Sequence, residues 1–338
     1  MKRTIAIVGG GDTSEYHVSL RSAAGIYSFM DKERYNLYIV QMHGQDWHAQ
    51  LPDGSTAPID RNDFSFTQAD GTKVTFDLAY ITIHGTPGED GRLQGYFDML
   101  GIPYSCCGVL AASLTFNKFA CNQYLRAFGV RVADSMLLRK GQYVPDEEVV
   151  KNIGLPCFIK PSLGGSSFGV TKVKTVEQIQ PAIAKAFDEA QEVMIEAFMP
   201  GTEITCGCYR TKEKNVVFPI TEVVTGNEFF DYDAKYNGQV QEITPARIPD
   251  TLRDRVQRLT LAIYDILGAQ GIIRIDYIIS ADEKINLLEV NTTPGMTPTS
   301  FSPQQVRAAG LDIKEVMTDI VENGFWRAAM WTSRPAKL

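Results

Sequence analysis

The chain reads as a mixed α/β and α+β protein in three parts, and three stretches predict it. The opening "RTIAIVGGGDTSEYHVSLRSAAGIYSFM" runs strand, glycine turn, helix. The stretch "LPCFIKPSLGGSSFGVTKV" sends a buried strand into a Gly/Ser-rich loop and out into a second strand. Near the end, "GIIRIDYIIS" and "KINLLEV" form two strands around a short polar turn. The expected division is 1–110 as an open parallel α/β domain, 111–198 as a small central α+β unit, and 199–338 as a C-terminal unit.

In the first part, Thr4 to Val8 is a short apolar run broken by Gly9 to Gly11. Val18, Ser22, Gly25, Ile26 and Phe29 then recur at helical spacing. "YNLYIVQM" and "FDLAYITIHG" supply further strands. Strands separated by helices imply parallel βαβ units, whose ligands lie at the carboxyl ends of the strands. Glu15 and His84 fall at such ends. Helix capping and a satisfied structural histidine are their ordinary alternatives, and Glu89 and Asp90 in "TPGEDG" look like turn residues.

In the second part, "SLTFNKFACNQYLRAFG" reads as one helix closed by Gly129, and Thr175 with Gln178 has capping-box spacing. Lys160 ends an apolar run and is followed by glycines and the hydroxyls of Ser166 and Ser167. Such a loop can turn backbone N–H groups toward an anion, with the lysine as point charge. The pattern is neither a Walker A motif nor GxGxxG.

In the third part, "VVFPITEVV" reads as one strand. "RDRVQRLTLAIYDILG" carries Val256, Leu259, Ile263 and Leu267 on one helical face. Residues 225–246 show no period over roughly twenty residues, long enough to suggest a lid that includes Lys235 and Tyr236. Ile285, Leu287, Glu289 and Asn291 share one face if the period of two holds. A hairpin turning about Asp282 and Glu283 sets Asp276 opposite Glu289 and Arg274 opposite Asn291, with Cβ atoms about 5 Å apart. Two readings remain. Such oxygens select a hard cation such as Mg²⁺ or Mn²⁺, or they are a solvated strand end with cross-strand salt bridges. A phosphate loop together with a carboxylate patch describes a nucleoside triphosphate held between two units.

Composition excludes other classes. The net charge of -7 argues against a non-specific nucleic-acid binder. Six cysteines without a CxxC pair suggest reduced thiols rather than a zinc knuckle or disulfide frame. No apolar run approaches a membrane span or signal segment, so a cytoplasmic location is expected.

"GGGDTSEYHVSL", "IHGTPGEDG", "IKPSLGGSSFGV", "FDYDAKY", "RIDYII" and "LLEVNTTPGMTPTS" resemble, in order and spacing, the motifs of the D-alanine–D-alanine ligases of the ATP-grasp superfamily. The resemblance spans nearly the whole chain. It implies three domains with ATP gripped between the central and C-terminal ones, and joining of two D-alanines through an acyl phosphate for peptidoglycan synthesis. Lys118, Lys160 and the lid residue Lys235 would then contact phosphates, with Ser166 and Ser167 in the phosphate loop. Glu196 and the backbone of Ala197, Phe198 and Met199 would lie by the base, with Glu203 on the ribose. Asp276, Glu289 and Asn291 would hold two Mg²⁺ or Mn²⁺ ions. Glu15, Ser166 and Tyr236 would form a hydrogen-bonded triad, Glu15 holding the first ammonium. His84 and Ser300 would sit near the substrates, Ser300 on the second carboxylate. Arg274 and the N–H of Gly295 would stabilise the oxyanion. Thr13-Ser14-Glu15 departs from the usual Ser-x-Glu, and Leu163–Gly164 stands where many relatives are polar. Tyr236 favours the dipeptide over D-alanyl-D-lactate; D-lactate and D-serine are the alternative second substrates. A homodimer through the N-terminal domain is also implied.

Overall fold

A computed structural model describes residues 2–165, 168–225 and 240–332. Its first sheet has five strands in the order β4-β3-β2-β1-β7: β1 Arg3–Gly10, β2 Tyr35–His43, β3 Asp46–Gln50, β4 Thr56–Pro58 and β7 Leu78–Ile81. A separate ribbon pairs β5 Ser65–Thr67 with β6 Lys73–Thr75. β1 runs parallel to both β2 and β7. The βαβ expectation holds for β1, α1 (Tyr16–Phe29) and β2, but β2 reaches β7 through antiparallel hairpins rather than a helix. Ile5, Ile7, Leu78 and Tyr80 pack on one face, and Ala6, Val8, Ala79 and Ile81 on the other. This is the period-two alternation of a strand buried on both sides.

α2 (Arg92–Leu100) follows the first sheet. The single helix expected next is two, α3 (Val109–Phe116) and α4 (Lys118–Arg126). Asn117 leaves helical geometry at φ -88°, ψ 99°, and its side chain accepts from the Ala120 N–H. An asparagine that caps a second helix ends the first. The central sheet, in the order β10-β9-β11-β8, uses β8 Ser135–Arg139, β9 Cys157–Pro161, β10 Thr171–Val173 and β11 Glu192–Ala197. α5 (Asp146–Asn152) and α6 (Ile179–Glu189) belong with it, and the Thr175–Gln178 capping box forms at the turn leading into α6.

The third sheet orders β15-β14-β12-β16-β17, with β13 on β12. Its strands are β12 Thr202–Arg210, β13 Asn215–Val217, β14 Thr221–Thr225, β15 Val240–Ile243, β16 Ile273–Ile279 and β17 Ile285–Asn291. The strand expected across "VVFPITEVV" splits into β13 and β14 at Pro219, a residue with no N–H to give a ladder. α7 (Asp250–Ile266) buries Val256 and Ile263 against this sheet. The chain closes with α8 (Phe301–Ala308) and α9 (Ile313–Thr332). α9 returns to the first sheet, where Val316, Met317 and Ile320 join Ile5, Leu78 and Tyr80 in one core. Tyr35 donates its hydroxyl to Glu322 at 2.7 Å across this seam. All six cysteines are free and buried, and burial raises their thiols, which keeps them protonated and inert.

Candidate active site

The β16–β17 hairpin supplies the acidic patch, by a route different from the expected one. Its loop has an odd length: Ile279 pairs with Ile285, and Glu283 takes φ +56° in the turn. Continued unbroken, that register would set Asp276 against Leu288. A β-bulge shifts the pairing between Asp276 and Tyr277, so Asp276 faces Glu289 and Arg274 faces Asn291. The bulge also overturns the expectation that Ile285, Leu287, Glu289 and Asn291 share a face. Ile285 and Leu287 enter the core with Val290, while Leu288, Glu289 and Asn291 line a cavity. One inserted residue turns every later side chain over.

That cavity, about 790 Å³, lies among all three sheets. On the hairpin side Asp276 takes a two-pronged grip from Arg274, Nε to Oδ1 at 2.9 Å and Nη2 to Oδ2 at 2.8 Å. Thr205 Oγ1 donates to Asp276 at 2.5 Å and Asn291 Nδ2 at 3.0 Å. The Phe301 ring lies 5.3 Å below the guanidinium. Burial works against the Arg274 charge, but Asp276 and Glu289 more than offset it, so its pKa rises.

On the central-sheet side, Lys160 donates to Glu196 Oε2 at 2.6 Å, and Asn122 to Oε1 at 3.3 Å. The two charged groups are only 9% and 2% exposed, a buried pair kept by hydrogen bonds on both carboxylate oxygens. Ala197, Phe198, Met199 and Glu203 continue this wall. Lys118 opens α4, reaches the Gly164 carbonyl at 2.5 Å and stands 4.0 Å from Glu289 Oε2. The cavity thus brings Lys118 and Lys160 to the same space as Asp276, Glu289 and Asn291.

The third wall comes from the first sheet. Asp12 stands three residues before Glu15, the spacing of a capping box, but it accepts from Gly44 N at 2.6 Å, and Glu15 lines the cavity. Glu15 sits against the Gly-rich loop so closely that a Cβ on Gly165 would lie 2.5 Å from its Oε2. His84, 7% exposed, has its Nε2 3.2 Å from Ser22 Oγ, and burial lowers its pKa while Glu15 opposes the shift. Gly295 and Ser300 meet in the loop after β17, where a Cβ on Gly295 would stand 2.9 Å from Ser300 Oγ. Ser300 Oγ also holds Thr297 N at 3.1 Å.

Of the residues singled out in the sequence, Ser166, Ser167, Lys235 and Tyr236 lie outside the described residues. Reading by motif also missed three groups. Glu89, set aside as a turn residue, lines the cavity and accepts from Gly85 N at 2.7 Å; burial and Glu15 push its pKa up to about 7. Asn122 is a buried amide on α4 behind Glu196. Thr205 holds Asp276 from the neighbouring strand. The signal for Glu89 was its place five residues after His84; the other two depend on pairings distant in the chain.

Two carboxylates and an amide oxygen on one cavity wall suit a hard cation, which commonly takes few protein oxygens and completes its shell with phosphates. Among the described residues no cluster of three or more His, Cys, Asp or Glu is placed to hold a metal by itself. No helix among the described residues is long and apolar enough to cross a membrane.

Two families match this chain: one described as "D-ala D-ala ligase N-terminus" over residues 4–107, and one as "D-ala D-ala ligase C-terminus" over residues 124–322. A D-alanine–D-alanine ligase of Bacteroides fragilis is 78% identical over 96% of this chain and 100% of that protein. Among solved structures, a D-Ala:D-Ser ligase from Enterococcus faecalis is similar with a TM-score of 0.84, at 28% identity over 96% of this chain and 100% of that one. A D-alanine–D-alanine ligase from Bacillus anthracis, solved with ATP, gives a TM-score of 0.77 at 28% identity over 97% and 99%.

Proposed function

The chain belongs to the D-alanine–D-alanine ligase family and has its ATP-grasp fold, and from that premise we propose how its residues divide the reaction. It joins two D-alanines at the expense of ATP, a step of peptidoglycan synthesis. In our reading the boundaries fall at 1–110, 111–198 and 199–338, and the nucleotide lies in the cavity between the second and third units. The carrying observation is that Lys118 and Lys160 share one cavity with Asp276, Glu289 and Asn291.

Lys118 and Lys160 meet the phosphate chain as point charges, while Glu196 and the backbone of 197–199 face the base and Glu203 the ribose. Lys235, Ser166 and Ser167 complete the phosphate contacts. Asp276, Glu289 and Asn291 hold two Mg²⁺ or Mn²⁺ ions, which neutralise charge on the transferring phosphoryl group when bound. Glu15 holds the first ammonium and forms a triad with Ser166 and Tyr236. The first carboxylate takes the γ-phosphoryl group from ATP and ADP leaves; the second amine, having given up a proton, attacks the carbonyl carbon of the resulting acyl phosphate, and inorganic phosphate departs as the amide forms. Charge then develops on one carbonyl oxygen, which in this reading the Arg274 guanidinium and the Gly295 N–H stabilise. Preorganised donors of this kind act without reorganising at the moment of reaction. Ser300 takes the second carboxylate. We place the enzyme in the cytoplasm as a homodimer.

The test is ADP release by the purified protein with D-alanine, L-alanine, D-lactate or D-serine, with and without Mg²⁺. Release that requires D-alanine and Mg²⁺, and its loss in Glu289→Ala, supports the assignment. Full turnover in Glu289→Ala sinks the metal assignment. The likeness to a D-Ala:D-Ser ligase keeps D-serine as second reading; product analysis with mixed D-alanine and D-serine decides it.

A further inference from the structure

Ser22 has no exposed surface and takes no part in the roles above. It lies on α1 between Ser19 and Gly25, three residues from each, so the three share one helical face. Its Oγ stands 3.3 Å from Met296 N and 3.2 Å from His84 Nε2. The Met296 N–H can only donate, so Ser22 Oγ accepts that bond. The hydroxyl has one proton, and a buried O–H left without an acceptor is costly; among the described residues His84 Nε2 is the other group within reach of Ser22 Oγ, so the proton is directed at it.

The consequence reaches the imidazole. If Nε2 accepts, a neutral His84 carries its proton on Nδ1, and the backbone of Thr293 serves that ring as an acceptor, which favours a ring N–H. The charged groups that act on His84 are Glu15, before α1, and Arg274, on β16. Glu89 stands by Thr293, whose own Oγ1 donates to the Ile83 carbonyl at 3.3 Å. Ser19 fixes the histidine from behind, accepting from His84 N at 2.9 Å while donating to the Glu15 carbonyl at 3.2 Å. Gly25 lets α1 approach so closely that a Cβ there would lie 2.3 Å from Met296 O. Met296 is thus held at its N–H by Ser22 and at its own carbonyl by the bare face of Gly25.

We infer that Ser22 is a positioning residue for the ligation step: it fixes the His84 tautomer with the proton on Nδ1, and through Met296 it aims the Gly295 N–H at the developing oxyanion. His84 then acts as a clasp between α1 and the 293–296 loop rather than as a base on the substrate. This rests on the ligase reading, and wild-type ADP release tests that reading separately.

The chain has four histidines, so ¹⁵N imidazole spectra of the whole protein are tractable, with His84→Gln identifying the signal. The wild type is expected to show His84 neutral near pH 7, protonated on Nδ1, with Nε2 accepting a hydrogen bond. Ser22→Ala should lose that fixed tautomer and lower kcat by about 10- to 100-fold, as a loosened reactive geometry does, while KM for ATP stays at the wild-type value. An Nε2-protonated His84 in the wild type overturns the inference without recourse to any variant. A folded Ser22→Ala enzyme with wild-type kcat overturns it equally.

Discussion

Two sides of the cavity hold paired charges, while the third sets the Glu15 carboxylate beside two groups that burial moves toward their neutral forms. Along β16–β17 and β9–β11, Arg274 grips Asp276 and Lys160 grips Glu196, each pair closed by further hydrogen bonds. In the segment after β7 two groups are held toward neutrality: burial lowers the His84 pKa and raises that of Glu89 to about 7. The same scarcity of water produces both results. A buried charge survives where an opposite charge and hydrogen bonds meet it, and is discharged where they do not. Charge is therefore kept where phosphate and oxyanion charge would develop, and neutral hydrogen bonds hold the loop that presents Gly295.

The comparison is broken most severely at Lys160 and Glu196. Glu196→Ala leaves a buried lysine without its carboxylate and should cost about 3–5 kcal/mol, read as a lower unfolding midpoint in denaturant. An unchanged midpoint would show that the pair contributes nothing. Next in size is Arg274→Met, which removes the donor proposed for the oxyanion. Its kcat should fall by about 100- to 1,000-fold, with the fold retained by circular dichroism. A fall under tenfold would detach Arg274 from the chemistry.

On the third side the expected effects are smaller. Gly25→Ala would ordinarily favour a helix, but here the new Cβ meets Met296 O at 2.3 Å. Overpacking should cost about 1–3 kcal/mol, and activity should fall with it as the loop moves. A stabilised and fully active variant would refute the close approach. The gentlest probe is Glu89→Gln. The Glu89 pKa is about 7 in the fold against 4.5 for an unperturbed glutamate. Between those values the unfolded chain releases a proton that the folded chain keeps, so stability falls as pH rises. Below the lower value the contribution is fully present, and above the upper one it is lost. Glu89→Gln should flatten this part of the stability profile, and an identical profile in both proteins would argue that Glu89 is ionised throughout.

Much of the site was legible because its parts repeat locally. Arg274 and Asp276 share a face by the period of two, and the lysine at the end of "LPCFIK" announces a strand running into a glycine loop. Glu89 was misread because a turn signature says nothing of the dielectric around it. Thr205 and Asn122 were invisible because their partners, Asp276 and Glu196, are 71 and 74 residues away.

The final hairpin separates what each level decides. The amino-acid order alone set its strands, its polar turn and the side-chain types that a cation and an oxyanion require, since these follow from short-range sterics and alternation. Which face Glu289 and Asn291 present was settled only in the folded sheet. There the odd loop and the bulge cancel, burying Val290 with Leu287 and turning the acidic groups to the cavity. Packing chose that register, because strand pairing at one place is constrained by apolar surfaces contributed from elsewhere in the chain.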